Sequence, residues 1–354
     1  RVFVSSTFSD LKAERNALQA QVFPRLRQLC QQHGARFQVI DLRWGVSEEA
    51  SLDQQAMKIC LGEIERCQKV TPRPNFIVLL GDRYGWCPPP AQIPADEFTC
   101  LLGVVERQED QALLKEWYLL DENAVPPQWM LKRRQRGGPY EKSENWQPIE
   151  SRLHTILAEA ATRLGFTPEQ RLPYLASATE QEIAKGALKA RDAAQHVHCF
   201  FRSIEGLPQQ FSVRDFQSLL SARLKEEYPK GISPTGEAVV HAVLGLSLDA
   251  TARQVADHLQ EALAHNLKAT LEQDLLLFIC QVLVDFTARD FINLDETSWT
   301  VDAHALASQG GLKKQLQTSI PEGNIHTYPA HWSIDHITTD HIDRLCEDVY
   351  QELE

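Results

Sequence analysis

The chain has 354 residues, 43% apolar and 24% charged, with 17 glycines and 18 prolines; fibrous and mostly disordered classes are excluded, and one large or two to three ordinary domains are expected. A formal charge of -12 and a pI near 5.5 repel polyphosphate and anionic lipid, so neither is expected to bind over a broad surface. The longest mainly apolar run, Leu275 to Val284 between Asp274 and Asp285, is about half of what a bilayer helix needs.

Val2-Phe3-Val4 is a short strand pattern that ends in Ser5-Ser6-Thr7. Apolar residues at Leu11, Leu18, Val22, Leu26 and Leu29 then predict an amphipathic helix over Asp10 to Gln32, kinked at Pro24. Gly34 closes it, Phe37 to Asp41 reads as a second strand, and Arg43-Trp44-Gly45 opens a polar loop. A helix over Gln54 to Cys67 follows, and beyond Pro72 and Pro74 the run Phe76 to Leu80 has the length and composition of a strand buried on both faces. After Gly81-Asp82-Arg83-Tyr84-Gly85-Trp86 the pattern stops, and residues 88–176 read as an irregular or loosely helical insertion. Ser177-Ala178-Thr179-Glu180 opens a helix through Ala190, and His196 to Phe201 is the fourth strand. Residues 207–310 read as a helical insertion, with an apolar stripe at Val255, Leu259, Leu263, Leu267 and Leu271. Leu312 to Leu316 predicts a short helix, Asn324 to Tyr328 the fifth strand and Thr339 to Leu353 the closing helix.

Alternating β-α units form right-handed parallel crossovers, so the expected fold is α/β, a doubly wound five-stranded parallel sheet built from residues 1–87, 177–206 and 311–354. Such sheets bind ligands at the carboxyl ends of their strands. The candidate loops therefore carry Ser5, Ser6 and Thr7; Asp41, Arg43 and Trp44; Gly81, Arg83 and Tyr84; and the helix start with Glu180 and Glu182.

Phosphate-loop, dinucleotide, zincin and α/β-hydrolase motifs are absent from the chain. The histidines at 326, 331, 336 and 341 match neither a helix face nor strand alternation, and read as surface residues rather than metal ligands. Eight scattered cysteines with no C-x-x-C pair point to a reducing, intracellular compartment. Arg1 stands directly before a strand pattern, so the chain reads as a piece of a longer protein. Lys132-Arg133-Arg134-Gln135-Arg136 is a short basic run near Trp129, Tyr140 and Trp146, read as a solvated loop and not as a nucleic-acid site.

Val2 to Leu11 with Glu14-Arg15, Asp41-Leu42-Arg43-Trp44-Gly45-Val46, Cys60-Leu61-Gly62-Glu63-Ile64, Gly81-Asp82-Arg83-Tyr84-Gly85 and Ser177-Ala178-Thr179-Glu180-Gln181-Glu182-Ile183 occur in order. Together they resemble the TIR-like N-terminal domain of NACHT and WD-repeat STAND proteins, of the telomerase protein component 1 and nephrocystin-3 type. The resemblance implies a flavodoxin-like fold related to TIR domains and nucleoside deoxyribosyltransferases. It also implies a STAND-type NTPase elsewhere in the parent, release of an effector when copies oligomerise, and a cytoplasmic, immune-type or antiviral setting. In TIR-like enzymes a glutamate early in the helix after the third strand cleaves the nicotinamide–ribose bond of NAD, and the matching residue is Glu182. The expected partners are NAD or a related nucleotide as substrate, the rest of a STAND parent, and further copies of the chain; no cofactor, metal or membrane is expected.

Cleaving a ribosyl C–N bond passes through a cationic, oxocarbenium-like species, which a carboxylate such as Glu182 offsets. Arg43 or Arg83 suits a diphosphate, Ser5, Ser6 and Thr7 suit ribose or phosphate oxygens, and Trp44 or Tyr84 suits a planar base. Each residue also has a structural explanation. Glu180 and Glu182 both sit where a capping box places an acid, Arg43 can pair with Asp41 or Glu48, and Gly81 and Gly85 fit a turn needing positive φ. A non-catalytic protein-contact module, and a ribosyltransferase with Glu182 as nucleophile, remain open alternatives.

Overall fold

The computed structural model describes residues 1–7, 10–42, 52, 54–71, 73–208, 211, 213–229, 231–232, 237, 240, 274–279, 282, 301–333 and 336–354. Arg43, Trp44 and the 255–271 stripe lie outside the described residues.

The chain begins with β1 (Val2–Ser6), α1 (Lys12–Ala17), α2 (Phe23–Gln32), β2 (Val39–Ile40), α3 (Ala56–Val70) and β3 (Phe76–Leu80). Residues 88–176 then contribute β4 (Gln92–Pro94), α4 (Ala95–Val104), α5 (Gln108–Trp117), β5 (Tyr118–Asp121), β6 (Gln128–Leu131), α6 (Ser143–Arg163) and α7 (Pro168–Leu175). The main pattern resumes with α8 (Ala178–Ile183), α9 (Ala193–His196), β7 (Val197–Glu205) and α10 (Val213–Glu227). It closes with α11 (Ala303–Ser319), β8 (Ile325–Ser333), β9 (His336–Ile337) and α12 (Ile342–Leu353).

The main sheet has the order β2-β1-β3-β7-β8-β9. Its first five strands are all parallel, and β9 folds back antiparallel on β8. This is the doubly wound α/β arrangement, and its strand order is the flavodoxin-like one. The central strand β3 is buried along its whole length, as its unbroken Phe-Ile-Val-Leu-Leu requires of a strand covered on both faces.

Side-chain alternation divides the core. Val2, Val4, Ile77 and Leu79 pack with Leu18, Val22, Phe23 and Leu26 and with Leu345 and Val349 of α12. Phe3, Phe76, Val78 and Leu80 face the other way, onto Ile64 of α3, Ile183 and Ala187, and Leu312 and Leu316 of α11. Phe3 and Phe76 stack at 5.7 Å across the β1–β3 pair. Because the period of a strand is two, Ser5 shares the Phe3 face and is aimed at the helices of that side.

Three local expectations are corrected. The stretch 88–176 is not irregular. It forms a second, antiparallel sheet, β4-β6-β5, over its own core, in which Phe98, Tyr118, Trp146, Leu157 and Tyr174 are buried. Its strands are only three or four residues long, too short to show alternation, and Pro148 inside the 21-residue α6 masks the helix. The first helix departs from α geometry at Leu18–Val22, before Pro24. There Phe23 N–H donates to the Leu18 carbonyl, an i−5 bond, so a wide turn absorbs what proline cannot donate. The fourth strand continues through Glu205 and carries the buried Arg202, where the apolar run alone predicts an end at Phe201.

After α8 the chain takes a second π-type turn, Ala184–Leu188, and there Gly186 lies flat against β3. A Cβ at Gly186 would stand 2.2 Å from the Phe76 ring, so this helix reaches the sheet only because the side chain is absent. Gly186→Ala is expected to lower stability by about 1–3 kcal/mol, overpacking outweighing the gain in helix propensity. The midpoint of urea unfolding measures this, and an unchanged or raised midpoint contradicts the packing described.

Candidate functional site

In the sheet order, β2 lies on one side of β1 and β3 on the other, so the chain reverses direction across the sheet between β1 and β3. A crevice opens at the carboxyl ends of the two strands at such a point. A cavity of about 1600 Å³ occupies it, lined by Ser6 and Thr7 after β1, Arg83 and Gly85 after β3, Cys60 of α3 and Glu182 of α8. The insertion supplies another part of the wall through Arg134, Trp146 and Glu150.

Glu182 owes its position to helix capping by other residues. Ser177 is the N-cap of α8, its hydroxyl accepting from Glu180 N–H at 3.2 Å. The Ala178 N–H donates to the Trp86 carbonyl at 2.8 Å. Neither glutamate caps the helix. Glu180 accepts the Tyr84 hydroxyl proton, while the Glu182 carboxylate turns toward β1 and accepts from Ser5 Oγ at 2.7 Å. Burial raises Glu182 to about 7, opposed by hydrogen bonds from Ser5 and the Cys60 thiol and by the charge of Arg15. Burial, and the nearby Glu182 charge, push the Cys60 thiol upward, which disfavours its reactive thiolate form.

The remaining sequence-predicted residues divide. Asp41 is not at the cavity and pairs with Arg15, both side chains being almost fully buried; Arg15 Nη1 also donates to the Thr7 carbonyl at 3.2 Å. Ser6 Oγ donates to the Thr7 carbonyl at 3.0 Å, and Thr7 Oγ1 to Asp10. Only one of the two glycines has positive φ: Gly85, at +91°. Gly81 is instead required by close approach, since a Cβ there would meet the Asp10 carboxylate at 2.3 Å and the Arg202 guanidinium at 2.6 Å. Tyr84 and Glu180 line a different cavity, of about 680 Å³, with His154, Arg171 and Gln315.

Behind the crevice lies a buried charge network that strand and helix periodicity does not reveal. Arg202 Nη1 is 3.1 Å from Glu14 Oε1 and Nη2 is 3.4 Å from Asp10 Oδ2, and His341 Nε2 is 2.9 Å from the same Glu14 oxygen. His341 is therefore buried, not on the surface, whereas His326 pairs with Glu352 at 3.0 Å. Burial raises Asp10 to about 7, with Arg202 opposing it. Burial acts in the same direction on Glu14, but His341 and Arg202 outweigh it and hold that carboxylate below its ordinary range. Arg134, within the basic run expected to be solvated, is buried with its guanidinium 5.3 Å from the Trp146 ring. Among the described residues, no group of three or more His, Cys, Asp or Glu is placed to hold a metal ion, and no helix is long and apolar enough to cross a membrane.

Known proteins share part of this chain. The profile of a domain of unknown function, DUF4062, matches residues 1–100. The mouse (Mus musculus) NACHT domain- and WD repeat-containing protein 1 is 35% identical over 202 residues, 56% of this chain and 12% of that protein. The N-terminal region is homologous to the NACHT and WD-repeat proteins. The human (Homo sapiens) NACHT and WD repeat domain-containing protein 2 is 34% identical over 225 residues, covering 58% of this chain and 13% of that protein. The rat (Rattus norvegicus) telomerase protein component 1 is 39% identical over 94 residues, 27% of this chain and 3% of that protein. The chain thus spans about an eighth of the length of the NACHT and WD-repeat relatives, and no solved structure matches it.

Two outcomes follow from the site's electrostatics. Arg202→Met leaves Asp10 buried without its ion-pair partner and Glu14 with His341 alone, and is expected to destabilise by about 3–5 kcal/mol in urea unfolding at pH 7; a loss below 1 kcal/mol contradicts the network. The folded-state value of Glu182, about 7, lies above that of a free glutamate. The unfolded chain therefore gives up this proton first, and the stability the group contributes at low pH is lost as pH rises through 7. Glu182→Gln removes that loss. Its unfolding free energy relative to wild type should improve by up to about 3 kcal/mol between pH 4 and pH 8, and a pH-independent difference contradicts the assignment.

Proposed function

We propose that this chain is a domain of a STAND-type protein and that its crevice binds NAD and hydrolyses the nicotinamide–ribose bond when copies are brought together. The observation that carries the reading is the Glu182 carboxyl: buried, anchored by Ser5, poised near neutrality and on the wall of a cavity at the reversal point of the sheet. Ionised, it offsets the positive charge that develops on the ribose as the C1′–N bond breaks. The bonding electron pair passes to the pyridinium nitrogen, and nicotinamide leaves neutral without needing a proton. Water adds at C1′ and loses its proton to the Glu182 carboxylate and then to solvent, the kind of transfer for which a value near 7 is suited. Arg83 serves the diphosphate, and the Ser6 and Thr7 hydroxyls serve the remaining oxygens.

A second reading, a non-catalytic protein-contact module, is favoured by the hairpin of the insertion, where Leu119, Leu120 and Val125 are 53%, 41% and 97% exposed. The two are separated by one assay. The purified chain, fused to a module that clusters it, is expected to release nicotinamide from NAD. Glu182→Ala should lower that release at least about 100-fold and Ser5→Ala about tenfold, in the range of acid–base contributions. Turnover that survives Glu182→Ala, or none in any assembled state, overturns the enzymatic reading.

A further inference from the structure

The insertion does more than occupy the space between β3 and α8, because it builds a wall of the cavity around a single carboxylate. Glu150, on α6, accepts from two indoles: Trp86 Nε1 at 3.0 Å through one oxygen and Trp146 Nε1 at 2.9 Å through the other. Trp146 is buried in the insertion core, with the Arg134 guanidinium over its ring. Trp86 is its counterpart on the main sheet, in the loop after β3. It remains 47% exposed although it is fixed at both ends, its carbonyl by the Ala178 N–H and its indole by Glu150.

An indole left open to a cavity yet held in one orientation forgoes hydrophobic burial while retaining a rigid aromatic face. Such a face stacks on planar rings with less loss of side-chain freedom, since the Glu150 hydrogen bond already restricts its rotamers before binding. Of the exposed large apolar side chains among the described residues, Trp86 and Ile59 line this cavity. Leu119, Leu120 and Val125 are exposed elsewhere and do not. Gln147, next to Trp146 on the same wall, offers an amide donor and acceptor, the pair that matches an adenine edge. The Trp86 carbonyl also caps the helix that carries Glu182, so the platform and the carboxyl are set by the same stretch of backbone.

We propose that Trp86, oriented by Glu150, is the platform on which the crevice stacks the adenine base of its nucleotide, and that the insertion thereby selects for a base at the end of the ligand remote from Glu182. This rests on the nucleotide reading above and names the part of the ligand that Trp86, held by the insertion through Glu150, recognises. It requires no cleavage, so it stands apart from the catalytic role of Glu182.

The test compares AMP with ribose 5-phosphate, which lacks the base, by calorimetric titration of the whole 354-residue chain. AMP is expected to bind about 10- to 100-fold more tightly, the range for stacking of one base on an aromatic side chain. Trp86→Ala should remove that advantage and leave ribose 5-phosphate binding unchanged, while Trp86→Phe should keep most of it. Glu150→Gln, which retains one acceptor, should lie between. Circular dichroism and thermal unfolding of each variant establish that the fold persists. Equal affinity for the two ligands, an AMP affinity indifferent to Trp86→Ala, or no binding of either ligand overturns the platform. Trp86-dependent AMP binding without nicotinamide release leaves the platform standing and removes the hydrolase; nicotinamide release with a KM unaffected by Trp86→Ala does the reverse.

Discussion

A hydrogen bond between Ser5 and Glu182 joins residues 177 positions apart in the chain, and the organisation of the crevice depends on it. Alternation along β1 sends Val2 and Val4 to one core and Phe3 and Ser5 to the other, so the hydroxyl meets α8 as a direct consequence of the strand's period. Capping of α8 by Ser177 and by the Trp86 carbonyl relieves the glutamates of that duty. The 182 carboxyl is thereby free to cross to the sheet, where burial brings its ionisation near neutral pH. A carboxyl removed from water needs hydrogen-bond donors in place of solvent, and Ser5 and Cys60 provide them.

The other half of the crevice is held by charge. Arg202 on β7 pins Asp10 and Glu14 at the start of the first helix, and Thr7 hydrogen-bonds to Asp10 in turn. The 5–7 loop is therefore fixed from the strand side by Glu182 and from the helix side by the arginine network. The absence of a side chain at Gly81 is what lets Asp10 and Arg202 meet so close to β3. Buried ion pairs contribute modest net stability but penalise rearrangement heavily, so the network holds the 5–7 loop in one geometry.

The parallel sheet was legible in the sequence because its strands are apolar, β-branched runs bounded by turn residues, β3 above all. The candidate loops followed from topology, and Ser6, Thr7, Arg83 and Glu182 do line one cavity. What the sequence did not show were pairings set by three-dimensional approach. Arg15, on the first helix, pairs with Asp41 after the second strand, and Arg202 continues an apolar run into a buried charge. Tyr84 and Glu180 turn to a second cavity because the Tyr84 hydroxyl reaches the helix start. The insertion hid its sheet in strands of three and four residues, and with it the wall that Trp146 and Glu150 contribute.

Homology to the NACHT and WD-repeat proteins gives this sheet a context, and the chemistry proposed for it rests on one buried acid. The most direct measurement is a pH titration of the Glu182 carboxyl itself, by ¹³C NMR of side-chain-labelled glutamate with Glu182→Gln identifying the resonance. A midpoint near 7 is expected of a carboxyl buried against Ser5 and Cys60. A midpoint in the ordinary glutamate range, about 4.3, is that of a carboxyl solvated like a surface acid and would leave the crevice without its buried acid.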